Sequence, residues 1–537
     1  MTMPNRLAVL SCAALVATTA AGCASVEKAA GGGDSGGGAI TMGTTNVTSV
    51  LDPAGAYDAG SWMVLNNTFQ SLLRFPSGAT VPQPDVAESC EFTGADTMTY
   101  HCTLRTGLKF SNGHSLTAND VVFSVDRMKK INDPSGPSAL LSTVKSVEAK
   151  GDNEVIFHLS APDAVLPAKL ASAAGSIVDH QVFPADKLLE NSKLVGSGPY
   201  KIDSIEEAAG EGHVPGKVTL SGNSQYKGEV KLQNSKFVLR YFDKPDDLKT
   251  ALDKGDIDLA DNSLEPSAAA QIKNDELAGK SDFKVAEGET GETRYLVFNT
   301  KDQVAGSQAV RQAVAQLLDR KSLARDVYAN TVQPLYSVVP AGITAHNTAF
   351  FDRYGEPDVT KAKKYLTNAH ISTPVKFTLT WSRARAGATE LETVKKQLEA
   401  SGLFQVTVEQ QPDWKKYQEG WKAGSYEAYT VGWTPDYADP DDYISPLVVD
   451  GGAFHNGWDD PKVSQKLVPD SIKLTDRTAG GAYAQIQNTV ADAVPMVPLF
   501  QNKSFYVSKS NITGVDATVD NTGIFRFWEI GRGAGKK

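Results

Sequence analysis

Strand-length apolar runs alternate with amphipathic helical stretches along most of this chain, and that alternation limits the fold more than any single motif. "NEVIFHLS", "KFVLRYF", "RYLVFNT" and "VKFTLTW" read as strands. "HSLTANDVVFSVDRMKKI" offers Thr117 as an N-cap with Asp120 three residues on, then Val121, Val122, Val125 and Met128 at helical spacing. "SQAVRQAVAQLLDRKSLARDVY" repeats the pattern, with Val310, Ala313, Val314, Leu317 and Leu318 making one stripe. Mixed α/β architecture is expected. At 537 residues with 41% hydrophobic content, the chain exceeds the usual single core, so two or more domains are expected. No repeat of fixed period appears, and no apolar run after residue 23 is long enough for a membrane helix.

The first segment reads as an export signal: Arg6 near the start, a short apolar run from Leu7 to Ala17, then small residues ending at Cys23. The glycine run "GGGDSGGG" that follows contains the string G-D-S-G-G, which also surrounds protease nucleophiles. A nucleophilic serine needs a packed scaffold to hold its base and oxyanion donors. Ser35 has only flexible glycines around it, so the stretch is read as a tether. The net charge of −10 offers no basic field for a phosphate backbone, so nucleic acid is not an expected partner.

With Cys12 lost with the signal, Cys90 and Cys102 sit in an exported, disulfide-permissive context and are expected to pair. Between them "EFTGADTMTYH" reads as strand, turn and strand. A hairpin that sets Cys90 opposite Cys102 also sets Phe92 opposite Tyr100 and Glu91 opposite His101. Two isolated thiols lack the further ligands of a zinc site. The eight histidines are scattered, with no metal-ligand cluster visible in the spacing, and neither metal nor cofactor is expected.

"VGWTPDYADPDDY", Val431 to Tyr443, concentrates Asp436, Asp439, Asp441 and Asp442 beside aromatic residues. A calcium loop needs alternating acids, a glycine at the sixth position and a glutamate at the twelfth, a spacing this stretch does not meet. A catalytic pair, Asp436 with Asp439, lacks further machinery elsewhere in the chain. The third reading is a buried carboxylate awaiting a cation, since burying a lone carboxylate is costly unless a cation and hydrogen bonds compensate. Asp439, Asp441 and Asp442 read as turn and helix-start acids around Pro440, placed at a first helical position.

"LRTGLKFSNGHSLTANDVVFSVDR" (Leu104 to Arg127) is similar to the signature of the family 5 extracellular solute-binding proteins, the peptide- and nickel-type binding components of ABC transporters. "GSGPYKI", "VFNT" with "AVRQAVAQLLDR", "GWTPDYADPDDY" and "VPLFQNKSFYVSKSNITG" follow in family order, so the resemblance covers about Ile40 to Trp528. Where the family usually carries an aromatic pair across the hairpin, this chain has Cys90 and Cys102. The ending "AAGC" resembles a lipobox, which would make Cys23 the lipidated mature N-terminus; Ala20 stands where leucine is usual, and an ordinary signal cut near Ala21 is the alternative.

The resemblance implies an α/β, two-lobed periplasmic-binding-protein-like fold with an inserted subdomain in the first lobe. The expected division is a signal peptide at 1–22, a lipidated tether at 23–39, first-lobe segments at 40–74, 197–291 and 500–537, an inserted subdomain at 75–196, and the second lobe at 292–499. It implies a monomer on the extracytoplasmic face of the cell membrane, of the Gram-positive type. There it would capture a short peptide for permease subunits coupled to cytoplasmic ATPases and perform no chemistry. A non-peptide solute (an oligosaccharide or metal chelate) and, more remotely, a lipoprotein hydrolase are the alternatives. In peptide-binding members the aspartate three residues after the G-W tryptophan pairs with the peptide's α-amino group; that position is Asp436, with Trp433 and Tyr437 as aromatic walls. Arg383 and Arg385 in "WSRARAG" are candidate partners for the C-terminal carboxylate. "LDPAGAYDAGSW" resembles the family segment that lies along bound peptide as an extra strand, which makes Tyr57, Asp58 and Trp62 expected contacts.

Overall fold

Two long antiparallel strands, Phe283–Phe298 and Met496–Lys509, form the spine of the fold. The computed structural model describes residues 38–208, 215–382, 387–477 and 480–533. The expected signal peptide, Cys23 and most of the tether lie outside them, as do Arg383 and Arg385.

The spine belongs to one eleven-stranded sheet. On one side of it come Ala428–Trp433, Val375–Ser382 and Phe404–Gln411; on the other come Leu259–Ala260, Ile40–Thr44, Lys236–Tyr241, Pro215–Gly222 and Tyr200–Glu207. Val375–Ser382 pairs in parallel with both of its neighbours, and Ile40–Thr44 likewise with both of its own. The mixed α/β class is as expected. The expected boundaries at 291/292 and 499/500 fall inside the two spine strands, next to a break in pairing register between Glu289 and Thr293. One apolar core gathers under the first half of the sheet, with Ile40, Met42, Leu220, Phe237 and Phe527 at its centre. A second takes in Tyr295, Leu296, Leu379 and Tyr429 together with the interior of the 75–196 segment.

Within 75–196 a separate antiparallel sheet runs in the order Ala87–Phe92, Thr99–Leu104, Glu154–Leu159, Val144–Lys150. Its first hairpin has the expected register: Cys90 faces Cys102, Phe92 faces Tyr100, and Glu91 faces His101. The cysteines are joined, with Cα atoms 4.1 Å apart. Helix Ala118–Ile131 starts as the spacing predicts, the Thr117 N–H donating to Asp120 Oδ2 at 2.8 Å. Its Arg127 is buried and grips buried Asp52 through two hydrogen bonds of 2.8 and 2.6 Å. Gly198 closes the seam between the segment and the first lobe. Its N–H donates to Thr68 O at 2.9 Å, and a Cβ there would lie 2.5 Å from Thr68 backbone, which leaves no room for a side chain.

The stripe from Val310 to Leu318 is buried throughout, but the helix stops at Leu317. Leu318 is extended and Asp319 caps a new short turn by accepting from Ser322 N–H, so a local capping acid ends what the apolar spacing alone would continue.

Candidate functional site

In sheets with parallel strands, ligands collect beyond the carboxyl ends of those strands. Strand Ala428–Trp433 is parallel to Val375–Ser382, and Asp436 stands three residues past its end. Asp442 fixes this stretch by accepting two donors on one oxygen, the Asp436 backbone N–H at 2.9 Å and Trp433 Nε1–H at 3.3 Å. The segment therefore folds back onto the short helix Asp441–Ile444, and the half-buried Trp433 ring lies edge-on to Phe454 at 6.4 Å. Pro440 precedes this helix as its cap instead of occupying the expected first helical position.

From the first lobe, Tyr57 reaches across and donates its hydroxyl to Asp436 Oδ2 at 2.8 Å. Burial pushes the Asp436 carboxyl up to about 6, with Tyr57 pulling the other way. Burial, and then the charge of Asp436, hold Asp442 well above the usual carboxylate range. A half-buried carboxylate, bonded by a phenol hydroxyl, thus feels the charge of a buried one nearby, a setting that favours an added cation.

The stretch around Tyr57 does not lie extended. Asp58 accepts from Ser61 N–H and Ser61 Oγ–H, each at 2.8 Å, and so caps helix Ala59–Thr68. Its carboxylate is occupied by capping. Trp62 donates Nε1–H to Ala56 O at 2.8 Å and its ring centre lies 5.6 Å from that of Tyr57, so these two rings form an aromatic wall on the first lobe. Tyr437, expected as a partial wall, is buried in the second core.

The remaining acids of the stretch serve the interior. Asp439 takes a two-pronged bond from Arg477, Nε at 2.8 Å and Nη2 at 2.6 Å, while Arg477 Nη1 donates to the carbonyls of Ser471 and Leu474. Asp441 accepts from Ser445 Oγ–H, and burial followed by the neighbouring Asp439 charge lifts it to about 6.

Sequence reasoning did not find Arg294, Tyr328 and Glu390. Arg294 lies directly across from Gly432 of the "GWTPD" turn, with its guanidinium over the Phe500 ring and its Nε 4.0 Å from Glu390 Oε2. Tyr328 donates to that same oxygen, while Glu390 Oε1 is buried with no partner among the described residues. No motif flags them, because they come from three separate segments; the only signal was a charged residue inside the apolar strand "RYLVFNT".

The family described as bacterial extracellular solute-binding proteins, family 5, middle region, matches residues 81–454. Oligopeptide-binding protein OppA of Bacillus subtilis is 24% identical over 87% of this chain and 88% of its own length. Heme-binding protein A of Haemophilus influenzae is 26% identical over 86% of this chain and 85% of its own length. Among solved structures, the periplasmic binding protein DppA of Helicobacter pylori in complex with the peptide STSA superimposes with a TM-score of 0.73 at 23% identity, covering 93% of this chain and 98% of that one.

Proposed function

The chain belongs to the family 5 bacterial extracellular solute-binding proteins, and we propose that it captures short peptides outside the cell and passes them unaltered to an ATP-driven importer. The observation that carries the peptide reading is the half-buried Asp436 carboxylate beyond a parallel strand end, met from the opposite lobe by Tyr57. A peptide's α-ammonium takes up that negative charge, with Trp433 beside it and the Tyr57–Trp62 wall across from it. Arg294, or Arg383 and Arg385 of "WSRARAG", answers the peptide carboxylate. OppA as an oligopeptide-binding protein, and DppA in complex with a peptide, support this ligand class.

Heme-binding protein A supports a second reading, in which the same fold and role serve a non-peptide solute. The N-terminal "AAGC" supports lipidation of Cys23 and retention on the outer face of the cell membrane, where the permease is reached. Calorimetry with peptides tests the Asp436 assignment: replacing Asp436 by asparagine weakens binding more than tenfold. Unchanged affinity would sink it. Incubation with peptide or glycoside separates a binder from a hydrolase, because a binder returns its ligand intact after denaturation.

A further inference from the structure

The inserted segment brings together a donor set that the sequence spacing conceals. Asp120, on the first turn of helix Ala118–Ile131, and Asp179, in a later loop, are both wholly buried at 0% exposure. One ligand atom of each, with one of His180, lie within 4.8 Å of one another. His180 Nδ1 is 2.7 Å from Asp120 Oδ1, and His114 Nδ1 is 2.7 Å from Asp179 Oδ2, where Asn112 Nδ2 also donates at 2.8 Å. The pairing is crosswise, since the adjacent residues Asp179 and His180 each engage the other arm.

Charge is the second consideration. Two carboxylates removed from water lie side by side, and neither has a lysine or arginine within ion-pair distance among the described residues. Elsewhere in this molecule buried carboxylates such as Asp52 and Asp439 are matched by arginine. Here the balancing groups are imidazoles, whose side chains remain 42% and 41% exposed, so an ion has a way in from solvent. Imidazole mixed with carboxylate is a donor set suited to zinc and its neighbours in the transition series, not to calcium or magnesium.

We propose that Asp120, Asp179 and His180 bind one divalent transition-metal ion of the zinc class, clamping the start of helix Ala118–Ile131 to the loop at 179–180. The ion neutralises both carboxylates, so that two segments distant in sequence share one bound cation. The site is separate from peptide capture and stands or falls independently of it.

The test uses the full mature chain without an affinity tag, stripped with chelator and titrated with zinc chloride against a chromogenic competitor. One saturable equivalent with micromolar or tighter affinity is expected. The change His180→Ala should weaken it at least tenfold. His180→Gln keeps a donor for Asp120 and should preserve the fold by circular dichroism while losing the same affinity. Replacing His101 and His158 by glutamine, on the outer face of the small sheet, should change nothing. Absence of a saturable equivalent, retention of affinity in His180→Gln, or loss of it in the His101 and His158 control would each overturn the site.

Discussion

In the proposed peptide capture Asp436 takes the charge of the ligand, and its environment predicts both a magnitude and a pH dependence. A charge-assisted hydrogen bond in an enclosed site contributes roughly 1.5–3 kcal/mol, and about 1.4 kcal/mol is tenfold in affinity, so Asp436→Asn should weaken peptide binding more than tenfold. The carboxyl sits at about 6 when no cation faces it, because burial disfavours its charged form. Such a raised acid holds its proton more tightly folded than unfolded. It therefore adds stability as pH falls through 6 toward the ordinary aspartate value. A bound ammonium favours the ionised form, so binding responds in the opposite direction. Affinity for an amine-bearing peptide should drop about tenfold from pH 7 to pH 5 in the native chain and stay nearly flat in Asp436→Asn, as calorimetry at the two pH values will read. The place of Asp436 was legible from its offset after Gly432 and Trp433. Its partner was not: Tyr57 lies 379 positions away, and only the closing of one lobe on the other makes them neighbours.

At the scale of elements, the acidic turn and the hairpin have different supports and fail differently. The Asp439–Arg477 pair is nearly dry, with side-chain exposures of 5% and 13%, and holds the turn that carries Asp436. Removing one partner leaves the other charge buried, so Arg477→Ala should cost about 3 kcal/mol in urea unfolding and also weaken peptide binding. Asp439→Asn with Arg477→Met should recover much of the stability loss, since the lone charge is gone. The Cys90–Cys102 link closes a short loop, and replacing both by serine should cost roughly 2–3 kcal/mol, read as a lowered melting temperature of the inserted segment with peptide affinity unchanged. The hairpin register was legible because a period of two and two cysteines leave one pairing that keeps Phe92 over Tyr100. The break after Leu317 was hidden because Leu318 continues the apolar stripe, and only the Asp319 cap shows that the backbone has turned.

Across the whole molecule, the spine strands Phe283–Phe298 and Met496–Lys509 carry the chain from one half of the sheet to the other, with a break in pairing register between Glu289 and Thr293 in mid-strand. Among the described residues, the bonds that join the halves away from the spine include Tyr57 to Asp436, Ala164 N–H to Ile472 O at 2.8 Å, and Thr80 to Thr344 at 3.2 Å. Loss of the Tyr57 tie should favour an open arrangement over a closed one, and Tyr57→Phe should lengthen the distance between spin labels placed on the two lobes. The class and the order of segments were readable from periodicity and family-like motifs. The groupings that depend on chain closure, Arg294 with Glu390 and His114 with Asp179, were not, because no spacing rule links residues from separate loops. The central claim is that Asp436 holds the amino end of a short peptide. It is tested most directly by mass spectrometry of the ligand released on denaturing protein purified from its own host. Short peptides with free amino termini should come off the native chain and be largely missing from Asp436→Asn; a non-peptide ligand, or equal peptide recovery from both, would contradict it.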